Sequence, residues 1–368
     1  MITTFEMNNV RKDTELVDSK LKKTSPIVEV FAAMVRGDSL EKFGKTADKA
    51  VEHIKKLGER SMNGDYNAIT ELNTIRRFVI ESPIMEEIKM LGIFGTYQAV
   101  GYDETIEREV YIEAGERSRE QAASGDVVFP MLTKEVYPVS TFTVSGGYAV
   151  DYRRVALGDM SKENEGMAHV RTDILNRAKL AIINRIYTAL KNATGVKYMY
   201  EYAGLTKSGV DDVLTKIRRF GRPTVIGDYA VLSQFTPWAG YVGSINSNTI
   251  TGISEKVMNE LQANGALSMY NGAILSEMAN PYDLYNLEDD GSNFKTLLPA
   301  GLAFVVPAGA NSPIATYTRG GLTSFTGNDV KSGKILTRFD LEVGCDVAKT
   351  QEYKIGTLYD TNVGGLSE

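Results

Sequence analysis

The side chains best suited to metal binding or covalent catalysis are scarce in this chain: two histidines, His53 and His169, and one cysteine, Cys345. A zinc site needs several such ligands at set spacings, such as two histidines one helical turn apart or a pair of cysteines. Neither histidine has such a partner. Both fall between polar neighbours on predicted helix faces and read as solvated or capping side chains. Cys345 stands between Gly344 and Asp346, without a cation beside it to hold a thiolate, and reads as structural. The nearest approach to a phosphate loop is Gly327-Asn328-Asp329-Val330-Lys331-Ser332-Gly333-Lys334. It has one residue too many between its glycines, and Ile335 stands where a hydroxyl should hold magnesium. It reads as a plain loop. No nucleophile elbow occurs, and no two carboxylates can be paired from sequence alone. The catalytic, metal and cofactor readings are all none: this is not expected to be an enzyme.

The elements give more. Leu40, Phe43, Ala47, Ala50, Ile54 and Leu57 alternate steps of three and four, a heptad seam on one helix face. Asn63-Gly64-Asp65 breaks it, and Tyr66, Ile69, Leu72, Ile75 and Val79 line a second helix. Pro83 fits the first turn of a third, short one. Two readings of the seam stay open: a helical hairpin packed on the body, or a scaffold-like arm that touches neighbouring subunits.

Between Gly101 and Asp126 the sequence has eight acidic and three basic residues and few large apolar ones. Ile106, Val110 and Ile112 fall on alternate positions, as on a one-sided strand. A β-rich stretch from Val127 to Val155 alternates across Gly146-Gly147. Together they predict a long hairpin with a charged tip, and an isolated two-stranded hairpin is marginal in water. It must lean on another chain or be a solvated insertion. A long helix follows, capped by Asp159 or Ser161 and ended by Thr194-Gly195, with Val170, Ile174, Ala178, Ile182, Ile186 and Leu190 every four residues. Such a row drifts round a rod packed diagonally on its support.

Beyond it a mixed α/β region is expected. A helix over Val210–Ile217 precedes a strand at Thr224–Ile226, then come helices at Asp228–Phe235 and Ile253–Leu261, a strand at Gly272–Leu275 and the apolar run Leu302–Val306. The C-terminal strands are Ile314–Thr318, Ile335–Val343 and Val347–Leu358, the last two joined by a hairpin at Gly344-Cys345-Asp346.

At 43% hydrophobic and 24% charged, the composition is that of a folded soluble protein. The net charge of −6 argues against broad nucleic-acid binding. No apolar run approaches the ~20 residues that span a bilayer, so no membrane is expected. Met1–Glu6 lacks the features of a secretory leader, and a single cysteine suits a reducing cytoplasm.

The order of these elements resembles the major capsid proteins of tailed double-stranded DNA bacteriophages. Tyr137–Tyr152 looks like the strands returning from that family's extended loop, and Met167–Asn192 like its spine helix. Thr224-Val225-Ile226-Gly227-Asp228 resembles the entry to the axial domain. Asn271–Leu275 is similar to its Gly-initiated strand, and Ile335–Leu358 to its closing strands. The resemblance covers roughly Ile84 to the end.

It implies an α+β shell fold, divided as an N-terminal arm or scaffold-like region (1–96), an extended hairpin loop (97–157) and a spine helix (158–205). An axial α/β domain (206–310) and closing peripheral strands (311–368) follow. It implies hexamers and pentamers of this chain forming an icosahedral shell, assembled in a bacterial cytoplasm around double-stranded DNA without sequence-specific binding. Portal, scaffold and decoration proteins are the further partners. The expected inter-subunit contacts are Glu107, Arg108, Glu109, Glu113, Arg117, Arg119 and Glu120, with Arg117 and Arg119 docking on acidic surface of a neighbour.

Some relatives weld subunits through a loop lysine. Here Lys134 is the sole lysine between Tyr97 and Glu135, so a non-covalent shell is expected. Deleting residues 1–83 is expected to leave a folded subunit that assembles aberrantly or not at all. The competing readings are an encapsulin-type compartment and a soluble α/β enzyme or binding protein with a hairpin insertion.

Overall fold

The computed structural model describes residues 27–30, 33, 39–90, 94–114, 120, 131–151, 161–239, 266–288, 291–308, 312–329, 331 and 333–365. A short 3-10 helix (Leu40–Phe43), which takes Leu40 and Phe43 of the seam, ends at Gly44 with φ +49°, and helices α1 (Lys45–Met62) and α2 (Tyr66–Met90) follow. Strands β1 (Thr96–Val100), β2 (Glu107–Ala114), β3 (Met131–Pro138) and β4 (Thr141–Asp151) lead into α3 (Ser161–Asn192). Next are β5 (Tyr198–Tyr202), α4 (Lys207–Ile217), β6 (Pro223–Gly227) and α5 (Tyr229–Leu232). The remainder is β7 (Met269–Tyr270), β8 (Ala273–Glu277), β9 (Tyr282–Leu287), β10 (Phe294–Thr296), β11 (Leu302–Pro307), β12 (Ile314–Asp329), β13 (Lys334–Val347) and β14 (Gly356–Asp360).

The break at Asn63-Gly64-Asp65 is a tight turn with Gly64 at φ +81°. Asp65 then caps α2, accepting from the backbone N–H of Asn67 at 3.0 Å. Pro83 does not begin a new helix: α2 runs through it to Met90. Proline's fixed φ is itself helical, and what it removes is one backbone hydrogen bond of a helix already formed. The seam residues Ala47, Ala50, Ile54 and Leu57 are buried, with Leu72 and Ile75 of α2, in the same apolar cluster as α3. Of the two readings of the seam, burial favours the hairpin packed on the body.

A four-stranded sheet in the order β1-β12-β13-β4 carries α3 across one face. The helix comes close because Gly146 has no side chain. A Cβ there would stand 2.9 Å from Cγ1 of Ile174 and 3.2 Å from Cγ1 of Val170. Gly146→Val is therefore expected to cost about 1–3 kcal/mol through overpacking, read as a lower urea midpoint. An unchanged midpoint would show that the helix can back away.

The second sheet has the order β5-β14-β11-β6-β8-β7. Every residue of β6 and β11 is buried. Ile226, Phe304 and Val306 face the cluster of α3, while Val225, Ala303 and Val305 pack with Val210, Val213 and Ile217 of α4. A strand covered on both sides needs apolar residues at successive positions, which is why Leu302–Val306 reads as a continuous run. The buried Asp360 carboxylate ties the end of β14 to its surroundings, accepting from Gly204 N at 2.9 Å and Gln234 Nε2 at 2.8 Å.

Two expected connections are different. Gly344-Cys345-Asp346 is not a turn but part of β13, opposite Tyr317, Thr316 and Ala315 of β12. Gly344 serves close strand packing there, since a Cβ would meet Thr141 Cγ2 at 3.3 Å. The chain reverses instead between Asp329 and Lys334, which pair across β12 and β13, and there Gly333 has φ +62° and donates to Asp329 O at 2.9 Å. Of the stretch read as a loop, Gly327–Asp329 are strand residues. Strands β13 and β14 belong to different sheets.

The β-rich stretch after Val127 also divides. β3 returns along β2, whereas β4 pairs with β13 in the four-stranded sheet. Pro138, which has no N–H for a ladder, ends β3. The helix expected at Ile253–Leu261 lies outside the described residues.

Candidate assembly surface

The β2–β3 hairpin is a sheet of its own, antiparallel from Glu107↔Pro138 to Ala114↔Met131. Alternation puts Arg108 and Val110 on one side, Glu107, Glu109 and Tyr111 on the other. The first side is seated on the body. Val110 and Tyr137 pack with Ala348 in a small buried cluster. Arg108 Nη1 donates to Asp346 O at 2.9 Å and to its Oδ2 at 3.1 Å, and Nη2 donates to Pro313 O at 2.6 Å. Tyr137 donates its O–H to Asp346 Oδ2 at 2.8 Å and accepts from Lys349 N at 3.2 Å. Burial, with Asp346 alongside, pushes the Tyr137 phenol up to about 12.

A second anchor holds the approach to β2. Tyr102 lies over Gly320, one of two positive-φ glycines at a bulge in β12, and Arg319 Nη2 donates to Glu104 O at 3.0 Å. Between the two anchors is an open cleft of about 330 Å³ lined by Gln98, Val100, Glu104, Ile106, Glu107 and Tyr317.

The other side of the hairpin faces away from the body. Glu107 and Glu109 are exposed, and so are two large apolar side chains, Tyr111 at 55% and Val136 at 45%. Lys134 pairs with Glu109 at 2.5 Å. Apolar and charged groups set together on an unsupported ribbon are suited to contact with another chain.

The residues singled out from sequence thus separate. Arg108 departs from its expected role, because its guanidinium is held within its own chain at the hairpin's root. Glu107 and Glu109 are on the outward side, and Glu120 is exposed. Glu113 lies on β2 opposite Leu132. Arg117 and Arg119 lie outside the described residues. Sequence reasoning missed Asp346, Tyr137 and Lys349 as anchors. Asp346 is 238 positions from Arg108, and no local pattern joins them.

The model of one protein family, described as "SPbeta prophage-derived putative capsid protein YonB", matches residues 6–359. The chain belongs to this family. That agrees with the capsid protein expected from the sequence, and the architecture is α+β as expected.

No curated protein matches this YonB-family chain. Among solved structures it is similar to the virus-like particle from Pyrococcus furiosus, at 9% identity and TM-score 0.41, over 76% of this chain and 97% of that one. The capsid of cyanophage P-SCSP1u has 8% identity and TM-score 0.48, over 73% and 87%. The head of Helicobacter pylori bacteriophage KHP40 has 10% identity and TM-score 0.47, over 74% and 89%.

The chemistry-bearing residues of this YonB-family chain are set in structural surroundings. His53 Nε2 meets Glu71 Oε1 at 3.0 Å, joining α1 to α2, and His169 is exposed. Cys345 is buried in β13, where desolvation pushes its thiol up to about 12, so it is no thiolate at neutral pH. The hydrogen bond from Lys134 to Glu109 raises the lysine above its usual value. A nucleophilic amine needs the opposite shift. Among the described residues no group of three His, Cys, Asp or Glu side chains is placed to hold a metal.

Proposed function

We propose that this chain is the major capsid protein of a tailed bacteriophage, building an icosahedral shell from hexamers and pentamers of itself. The family match over residues 6–359 carries this reading. The hairpin supports it: one side is bolted to the body by Arg108 and Tyr137, and the other presents Glu107, Glu109, Tyr111 and Val136, exposed among the described residues. Heterologous contacts of that kind close into rings when the rotation allows. Glu107, Glu109, Glu113, Arg117, Arg119 and Glu120 remain the proposed contacts with neighbouring copies. Exposed ion pairs are individually worth only ~0–1 kcal/mol, so they set register more than stability. The shell encloses double-stranded DNA without reading its sequence, in keeping with the net charge of −6. Portal, scaffold and decoration proteins are its other partners. Its place is the virion, assembled in the host cytoplasm, and its role is structural rather than enzymatic. Among the described residues no helix is long and apolar enough to cross a membrane.

Electron microscopy of the purified protein is expected to show rings or closed shells. Sedimentation as monomers only, at high concentration and with any scaffold present, would count against the reading. Particles boiled in reducing detergent are expected to run as one band near 40.4 kDa. A persistent ladder of dimers to hexamers would mean that subunits are covalently welded.

A further inference from the structure

The burial of the N-terminal region carries an inference that rests on the capsid reading and concerns what the finished shell retains. Val30, Ile54 and Leu57 are at most 1% exposed, and Leu72 and Ile75 at most 2%. All five lie in one apolar cluster with Ile182 of α3 and Leu341 of β13. Ile27 and Val28, where the described chain begins, belong to the same cluster. Polar contacts cross the same boundary. Ser324 of β12 donates to the carbonyl of Asn73 at 3.3 Å, and the hydroxyl of Thr326 donates to the Asn73 side chain.

A segment that a protease removes cleanly needs its own core and an exposed linker that few contacts cross. Here the opposite holds. Among the described residues, releasing the stretch from Ile27 to Ile75 at either helix exposes the core shared with α3 and the four-stranded sheet. A protease cuts what opens locally, and helices buried in the main core open at close to the global cost. The turn at Asn63–Asp65 is exposed and could be nicked, but a nick there releases nothing, because both helices are held by packing rather than by the turn.

We infer that the mature shell keeps the chain from Ile27 onward, with α1 and α2 built into its wall. This chain then carries no removable scaffold beyond its first 26 residues. Any scaffolding beyond what those 26 residues supply comes from a separate protein.

Two measurements test this. The first is the intact mass of the chain from dissociated mature particles. It is expected to be no lower than that of residues 27–368, and a chain beginning after Ile27 overturns the inference. The second uses the full-length protein with a specific protease site inserted in the Asn63–Asp65 turn. After cleavage the N-terminal fragment is expected to co-elute one-to-one with the remainder in native gel filtration and to separate only in denaturant. Release of the fragment from a soluble remainder overturns the inference. If the insertion prevents folding, the particle mass decides alone. Failure to form particles at all counts against the capsid reading, and the nicked protein then decides whether the N-terminal helices are separable.

Discussion

Removal of residues 1–83 is expected to give an insoluble, unfolded product, the reverse of the folded subunit anticipated from sequence. The deletion takes away all of α1 and most of α2, including Ile54, Leu57, Leu72 and Ile75, each nearly fully buried. At about 1.5–3 kcal/mol for each fully buried aliphatic side chain, these four alone contribute roughly 6–12 kcal/mol. A whole domain is stable by only about 5–15 kcal/mol. The partners left behind also become exposed, among them the α3 and β13 residues of the same apolar cluster, and Ser324 and Thr326 of β12 lose their hydrogen bonds to Asn73. Soluble yield and thermal melting by circular dichroism, compared with the full chain, check the outcome. A soluble fragment with a cooperative melt would mean that the body folds without its N-terminal helices.

Arg108→Ala is expected to release the hairpin while the body stays folded. The side chain is 13% exposed and makes three hydrogen bonds, to Asp346 twice and to Pro313 once. Hydrogen bonds to charged groups contribute about 1.5–3 kcal/mol each, less where water reaches them, so a loss of roughly 2–3 kcal/mol is reasonable for the set. At 1.4 kcal/mol per tenfold, amide exchange in β2 and β3 should rise by about 30–140-fold. The melting temperature of the body should fall little, and assembly should be impaired. Arg108→Lys should not rescue, because one ammonium cannot reproduce a guanidinium directed at Asp346 and Pro313 together. Tyr137→Phe removes a neutral donor to the same carboxylate and should act in the same direction more weakly. Unchanged exchange in β2 and β3 would show that the hairpin is held by Val110 packing and the Tyr102 anchor instead.

What could be read from sequence was whatever short-range periodicity encodes. The steps Ala47–Leu57 of α1, the four-residue row on α3, the apolar run of β11 and the Asn63-Gly64-Asp65 break each follow from side-chain placement within a turn or two. Three matters lay beyond that range. Gly344-Cys345-Asp346 has the composition of a turn, and its place inside β13 depends on Thr141 and Tyr317 closing on a glycine from two other strands. The seam of α1 is equally compatible with a partner helix in another subunit or with the body's own core. The burial of Ile54 and Leu57 beside α3 favours the second. Arg108 carries the same charge whether it points to a neighbour or inward. Its role was set by Asp346 and Pro313, more than two hundred residues downstream, arriving at the root of the hairpin. Sequence alone determined those elements whose apolar rows repeat at short range, such as α1, α3 and β11. The tertiary structure decided which faces meet, because pairing distant segments depends on the packing of the whole chain and leaves no periodic trace in any one of them.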